Sequence, residues 1–344
     1  MLAKGKRTRD LITRRKQIKM KKINFLSLVF LSFLFSTRLV LAAPYGEYRI
    51  TPRKFEDFSV LSGNSGKVLK YYGGPVISHV KVFIVYWGDQ VGTELQVKLA
   101  PFYRSILDSG YMDLLAQYKT DIPALDGRKG TGQTIGHGRL IGQKTIEPRN
   151  QASTLNDRMI QKELSTQIAA GVLPSPDADT LYMVYFPRGV RIVGPGGSGG
   201  SCETFDAYHD GFKTSNGEAI FYGVMPDCGL DFAAATEVSS HETIEAVTDP
   251  FPTPGNHPSY PQAWNSVRGD EVADLCEMRP PSYVSGSVTS VVARPWDNSI
   301  GACAKGPWTD GTALRASLSR GINANILPIL HMASLNPNAL WKGR

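Results

Sequence analysis

The sequence predicts an α+β fold held by disulfides, and three observations carry that expectation. The β-branched and aromatic runs Val80–Trp87, Leu181–Phe186 and Ala219–Met225 read as strands buried on both faces. Around them the apolar spacing turns helical, over Thr93–Tyr118, Asn156–Gly171 and Phe232–Thr248. Four cysteines, Cys202, Cys228, Cys276 and Cys303, sit in the second half of the chain.

Each element has its own signal. Residues 43–67, polar and rich in Gly, Ser and Pro, read as an extended lead-in. Tyr71-Tyr72-Gly73-Gly74-Pro75-Val76 makes a turn into the first strand, which Gly88-Asp89 ends. Leu95, Leu99, Phe102 and Ile106, then Leu114 and Tyr118, recur at helical spacing; Pro101 should start or kink a helix, which predicts two pieces. Glycines at 130, 132, 136, 138 and 142 punctuate a strand-like stretch, Thr134–Ile141. Asn156 is placed to cap the next helix and Gly171 to close it. Gly194–Gly200 matches both G-x-G-x-x-G and G-x-S-x-G on paper, but it lacks the following helix, the acidic residue and the strand-to-helix elbow those motifs need. It reads as a flexible loop. The helix from Phe232 must end before Pro250. Val288–Pro295 reads as a last strand, Trp296-Asp297-Asn298 as a turn, and 306–344 as a tail without an assignable role.

Of the 344 residues, the first 42 hold eleven Lys or Arg and one acid, Asp10, so the net charge of +7 is concentrated there. The remainder has 27 basic and 30 acidic side chains, which argues against a nucleic-acid surface. Lys19, Lys21 and Lys22, the apolar run Ile23–Phe35 and Val40-Leu41-Ala42 read as a signal peptide over 1–42. Met20 is its better start, which makes 1–19 an over-extended N-terminus. The apolar run is short for a span of about 20 residues, so no stable membrane span is expected after signal removal; an uncleaved anchor is the competing reading. Export to a secreted or periplasmic location makes disulfides the natural state of the cysteines. Of three possible pairings, Cys202–Cys228 and Cys276–Cys303 each close a short loop and each stabilise by about 3 kcal/mol. Zinc ligation by the cysteines is disfavoured because no C-x-x-C pair occurs.

The chemistry concentrates in Thr236–Asp274. On a helix, His241 and Glu245 lie one above the other, as two ligands of one ion must, and Glu242 lies beside them to take a proton from water. This is H-E-x-x-E, a variant of the zinc-hydrolase H-E-x-x-H motif. Downstream stands Gly269-Asp270-Glu271-Val272-Ala273-Asp274-Leu275-Cys276.

Several landmarks in order resemble one family. Tyr72-Gly73-Gly74-Pro75-Val76 with Val82–Gly88, Ser240-His241-Glu242 with Thr248-Asp249-Pro250, Glu271–Cys276, and a closing Trp296 and Ala302-Cys303 are similar to the exordium-like (phosphate-induced protein) family and its bacterial secreted relatives. The resemblance covers 68–305. It implies a zincin-like metallopeptidase fold: a single domain with a mixed twisted sheet and an active-site helix carrying H-E-x-x-E. By the same resemblance His241, Glu245 and Glu271 are metal ligands, Glu242 is the general base, Asp274 orients a ligand, and His209 polarises a substrate carbonyl.

The implied function is a secreted zinc-dependent hydrolase of the metallopeptidase type, acting on a peptide, protein or cell-wall substrate. One histidine and two carboxylates would leave a Zn2+ site formally neutral and weaken its Lewis acidity. The alternative is a non-catalytic secreted binding protein, at the cell surface or cell wall, with a structural zinc or Ca2+ site, since Glu242, Glu245, Asp249, Glu271 and Asp274 offer the hard oxygens calcium prefers. A solvated acidic helix face is the plainest reading of the same residues. Sequence does not fix substrate or oligomeric state.

Overall fold

A computed structural model describes residues 68–310 apart from 198, 253–256, 278 and 286–287. The chain divides into two units, Met1–Glu47 and Tyr48–Arg344, and all described residues belong to the second. The signal-peptide, lead-in and most of the tail assignments lie outside the described residues.

Five strands form one sheet, the central three from β-branched and aromatic runs: β1 (Lys81–Trp87), β2 (Arg139–Ile146), β3 (Thr180–Tyr185), β4 (Tyr208–Lys213) and β5 (Ala219–Met225). Their spatial order is β2–β1–β3–β5–β4. All neighbours pair in parallel except β4, which runs antiparallel to β5 at the edge. Successive side chains of a strand point to opposite faces, and both faces are apolar here. Val82, Ile84 and Tyr86 of β1 join one buried cluster, and Val85 and Trp87 the other; Leu181, Met183 and Tyr185 of β3 separate in the same way from Tyr182 and Val184.

Helices cover both faces. α1 (Thr93–Leu107) and α3 (Phe232–Thr248) supply Leu99, Phe102, Val238 and Ile244 to the first cluster, while α2 (Asp157–Ala169) supplies Ile160 and Leu164 to the second. The architecture is mixed α and β, with a twisted mixed sheet between helical layers. Both disulfides pair as expected, Cys202–Cys228 and Cys276–Cys303, and no cysteine among the described residues is free.

Caps fall where the sequence placed them. The Asn156 side chain accepts from Met159 N at 3.1 Å, and Gly171 takes a left-handed φ of +69° just past the helix end. Two expectations shift. Pro101 neither starts nor breaks α1. It sits inside the helix, and the break comes at Ser109, whose hydroxyl accepts from Tyr111 N to open a new turn, Gly110–Asp113. The strand expected over 134–141 forms five residues later, as β2. Gly136 and Gly138 spend their N–H groups on Ser78 and Leu107 carbonyls, outside the main ladder, so this approach to the sheet is a crossing segment.

Smaller pieces tie the C-terminal part to the sheet. Lys70–Tyr71 pairs with Trp264–Asn265, Ser282–Ser285 with Ser290–Val292 and Trp308–Thr309, and Trp296–Asp297 with Ala302–Cys303. The last pair continues the segment read as a turn into a short hairpin. Contacts extend past residue 305, where the Trp308 ring packs 5.0 Å from Tyr111.

Gly74 shows why the Tyr-Gly-Gly-Pro turn needs glycine. Its N–H donates to the Gln262 carbonyl at 2.8 Å, and a Cβ there would sit 1.8 Å from the Pro261 carbonyl oxygen. Neither backbone can yield easily, so Gly74→Ala is expected to destabilise by roughly 3 kcal/mol, read as a lowered urea midpoint. An unchanged midpoint would show that the two backbones separate freely.

Candidate metal centre

The site is built on α3. Asp231 starts the helix by accepting from Ala234 N at 2.8 Å, and Pro250 follows its end. From Val238 to Thr248 every residue is buried, because β4, β5 and the Ser290–Val292 strand pack around the helix. Its hydroxyls are satisfied by its own backbone: Ser239 donates to the Ala235 carbonyl, Thr243 to Ser239 and Thr248 to Ile244. The acids and imidazoles have no such local solution.

One turn of helix brings His241 Nε2 to 3.0 Å from Glu245 Oε2, and Asp274 Oδ1 lies 3.5 Å from the same nitrogen. These three ligand atoms all lie within 4.8 Å of one another. A second group, His209 with Glu242 and Glu245, is equally compact and shares Glu245. His209 arrives from β4. Tyr208 packs into the cluster on the α2 side, so the next side chain must point to the α3 side. There His209 Nδ1 faces Glu242 Oε2 at 3.2 Å, and Nε2 donates to the Asp249 carbonyl at 3.1 Å.

Backbone groups orient the carboxylates. Glu245 Oε1 accepts from Ala273 N at 3.2 Å and Asp274 N at 3.0 Å, which leaves Oε2 toward His241. Asp274 Oδ2 accepts from Glu271 N at 2.9 Å, which leaves Oδ1 toward the same imidazole. The loop carrying these groups is pinned by Trp296 N donating to the Val272 carbonyl and by the Cys276–Cys303 disulfide.

All the residues expected at the site are therefore gathered in one region, with the two downstream acids set against different imidazoles. Asp274, expected as an orienting group, is beside His241. Glu271, expected as the third ligand, presents Oε1 3.5 Å from His209 Nε2. Both acids face inward, and the E-x-x-D spacing carries no signal for which imidazole each one meets. His209 is enclosed, with its two nitrogens against Glu242 and the Asp249 carbonyl. Asp249 is fully buried, its carboxylate accepting from Ala263 N and from the Asn265 side-chain amide. The sequence offered Asp249 as one of the acids of a calcium site, and nothing in it pointed to Asn265.

Electrostatics state what the cluster lacks. Burial alone would push the His241 imidazole down, yet Glu245, Asp274 and Glu242 more than offset it and hold it well above the ordinary histidine range. Burial likewise opposes the rise at His209, and Glu271 and Glu242 prevail there too. The Glu245 carboxyl is raised by burial and then by Asp274, and Asp249 by burial and then by Glu271. Every shift favours taking up positive charge. His241 Nε2, Glu242 Oε1, Glu245 Oε2 and Glu271 Oε1 are buried and make no hydrogen bond. Such groups are costly unless something pairs with them. A cation fits that need, and the buried His and Glu groups could hold one.

No family model, curated protein or solved structure matches the chain. Among the described residues no helix is long and apolar enough to cross a membrane. The two disulfides are consistent with an extracellular setting.

Proposed function

We propose that the protein is a secreted, zinc-dependent hydrolase of the metallopeptidase type, with His241, Glu245 and Asp274 holding the ion. The observation that carries this reading is the set of unbonded, buried lone-pair atoms around His241. An imidazole among the donors favours zinc over calcium, which prefers oxygen alone. A divalent cation in such a centre supplies Lewis acidity toward a carbonyl group and toward water. Glu242 is then the proton acceptor: His209 holds its Oε2, and its Oε1 makes no other bond. His209 acts here by fixing Glu242, and Glu271 by steadying His209.

Membership of the exordium-like family, with a zincin-like fold, belongs to the same proposal. Its support is spatial: segments quoted for the resemblance meet in the fold. The Tyr72 N–H bonds to the Ala263 carbonyl, Ala263 N–H in turn bonds to the Asp249 carboxylate, and the Trp296 N–H bonds to the Val272 carbonyl.

Glu242→Gln is expected to retain the ion and lose at least about 100-fold in hydrolysis, the usual worth of a general base. Metal analysis of the purified protein and a peptide-library cleavage screen with and without chelator test this. A second reading has its own observation. His241 is 1% exposed and Glu242 and Glu245 are 0% exposed, as in a closed structural site. Stoichiometric metal with no chelator-sensitive cleavage of any peptide would establish that reading and overturn hydrolysis.

A further inference from the structure

One ion at His241 leaves His209 unanswered. The His209 Nε2 lies 3.1 Å from the Asp249 carbonyl, which can only accept, so in the neutral ring the proton sits on Nε2 and Nδ1 carries the lone pair. That lone pair faces carboxylate oxygens, Glu242 Oε2 at 3.2 Å and Glu245 Oε2 at 4.0 Å. The three side chains are at most 1% exposed, so water does not separate the electron-rich atoms. Glu245 Oε2 makes no hydrogen bond and is common to both histidines, for it also lies 3.0 Å from His241 Nε2.

The spacing on both sides of Glu245 is that of a coordination shell. Two donors on one zinc ion at the tetrahedral angle stand about 3.3 Å apart. His241 with Glu245 and Asp274 gives 3.0 and 3.5 Å; His209 with Glu242 and Glu245 gives 3.2 and 4.0 Å. Each set keeps its three ligand atoms within 4.8 Å of one another. His209 also has the outer bond typical of a ligating histidine, its other ring N–H donated to a backbone carbonyl. Charge points the same way. With Glu242, Glu245, Glu271 and Asp274 ionised and both imidazoles neutral, a single divalent ion leaves two buried negative charges, and a second removes them.

We propose that the centre holds two divalent cations, the second bound by His209, Glu242 and Glu245, with the Glu245 carboxylate bridging the pair. This rests on the cation reading given above and not on hydrolysis; Glu242 gives Oε2 to the second ion and keeps Oε1 for a proton. Zn2+ titration of the chelator-stripped full chain, followed by calorimetry and by elemental analysis after desalting, is expected to give two equivalents. His209→Phe, which keeps a ring and removes the donor, should leave one, the other being weakened more than about 100-fold. His209→Ala serves the same purpose if the phenyl ring does not fit. Co2+ in the wild type gives a readout that needs no variant: ions in a two-metal site lie about 3.5–4 Å apart, so the paramagnetic signal per ion should fall through coupling as the second equivalent binds. One equivalent in the wild type, unchanged in the His209 variants, would overturn the second ion, put a proton on His209 Nδ1 in its place and leave the single-ion reading intact. No bound metal would overturn both. Two equivalents without coupling, or undiminished in a folded His209 variant, would put the second ion elsewhere on the chain and overturn the proposal alone.

Discussion

Purified Glu245→Ala protein is expected to bind metal more than about 100-fold more weakly than the wild type, a loss beyond the 10–100-fold in affinity that a supporting partner typically costs, and to carry little of it through purification. Two consequences of the geometry drive this. The substitution removes the oxygen 3.0 Å from His241 Nε2, and it strips the acceptor from two backbone donors, Ala273 N and Asp274 N. Each buried donor left unpaired costs about 1–3 kcal/mol, so the loop that presents Asp274 should loosen as well. The companion substitutions separate the two downstream acids. Asp274→Ala should lose metal as Glu245→Ala does, whereas Glu271→Ala, which touches His209 rather than His241, should weaken binding within the supporting range. Elemental analysis and competition with a chromophoric chelator give the occupancies. Equal occupancy in wild type and Glu245→Ala would remove the ligand assignment, and a larger loss in Glu271→Ala than in Asp274→Ala would restore Glu271 as the third ligand.

Removing either disulfide should lower stability by about 3–4 kcal/mol, but only one removal should also weaken metal binding. The bridges close loops of nearly equal length, with separations of 26 and 27 residues, so the loop-entropy contributions are alike. That loss corresponds to a fall in Tm on the order of 10 °C for a domain of this size. Their neighbourhoods differ. Cys276 ends the turn that begins at Asp274, and Cys303 pairs in register with Trp296, whose N–H holds Val272. Cys202–Cys228 instead ties the end of the Gly-rich loop to the segment after β5. Cys276→Ser/Cys303→Ser should therefore lower both melting temperature and metal affinity, and Cys202→Ser/Cys228→Ser melting temperature alone. Equal effects of the two pairs on affinity would show that Asp274 is held without the bridge.

Much of this was legible in the sequence because the signals are local. The runs Val80–Trp87, Leu181–Phe186 and Ala219–Met225 are β-forming and apolar on both faces, and they became β1, β3 and β5 with shifts of at most one residue at either end. Asn156, Gly171 and Pro250 marked helix ends through chemistry that needs no tertiary context. β4 was missed because Tyr-His-Asp-Gly-Phe-Lys has no apolar run; it is a strand because β5 offers it a ladder and Tyr208 a place in the core. At the site, helical spacing was enough to place His241 against Glu245. The orientation of Asp274 rests on a hydrogen bond from the Glu271 backbone N–H three residues away, which the spacing of the acids did not announce.

The double-sided greasiness of the central strands has a further effect on how they find their partners. Sliding one such strand by a single residue would exchange its two faces without exposing oil to water, so polarity cannot fix the alignment. Size does it instead. Gly223 lies opposite Met183 and Gly142 opposite Phe83, and a methyl group on either glycine would come within 2.7 Å of the bulky neighbour. The sheet is keyed like a lock with two notches, and a chain with those notches filled would have several nearly equivalent ways to line up.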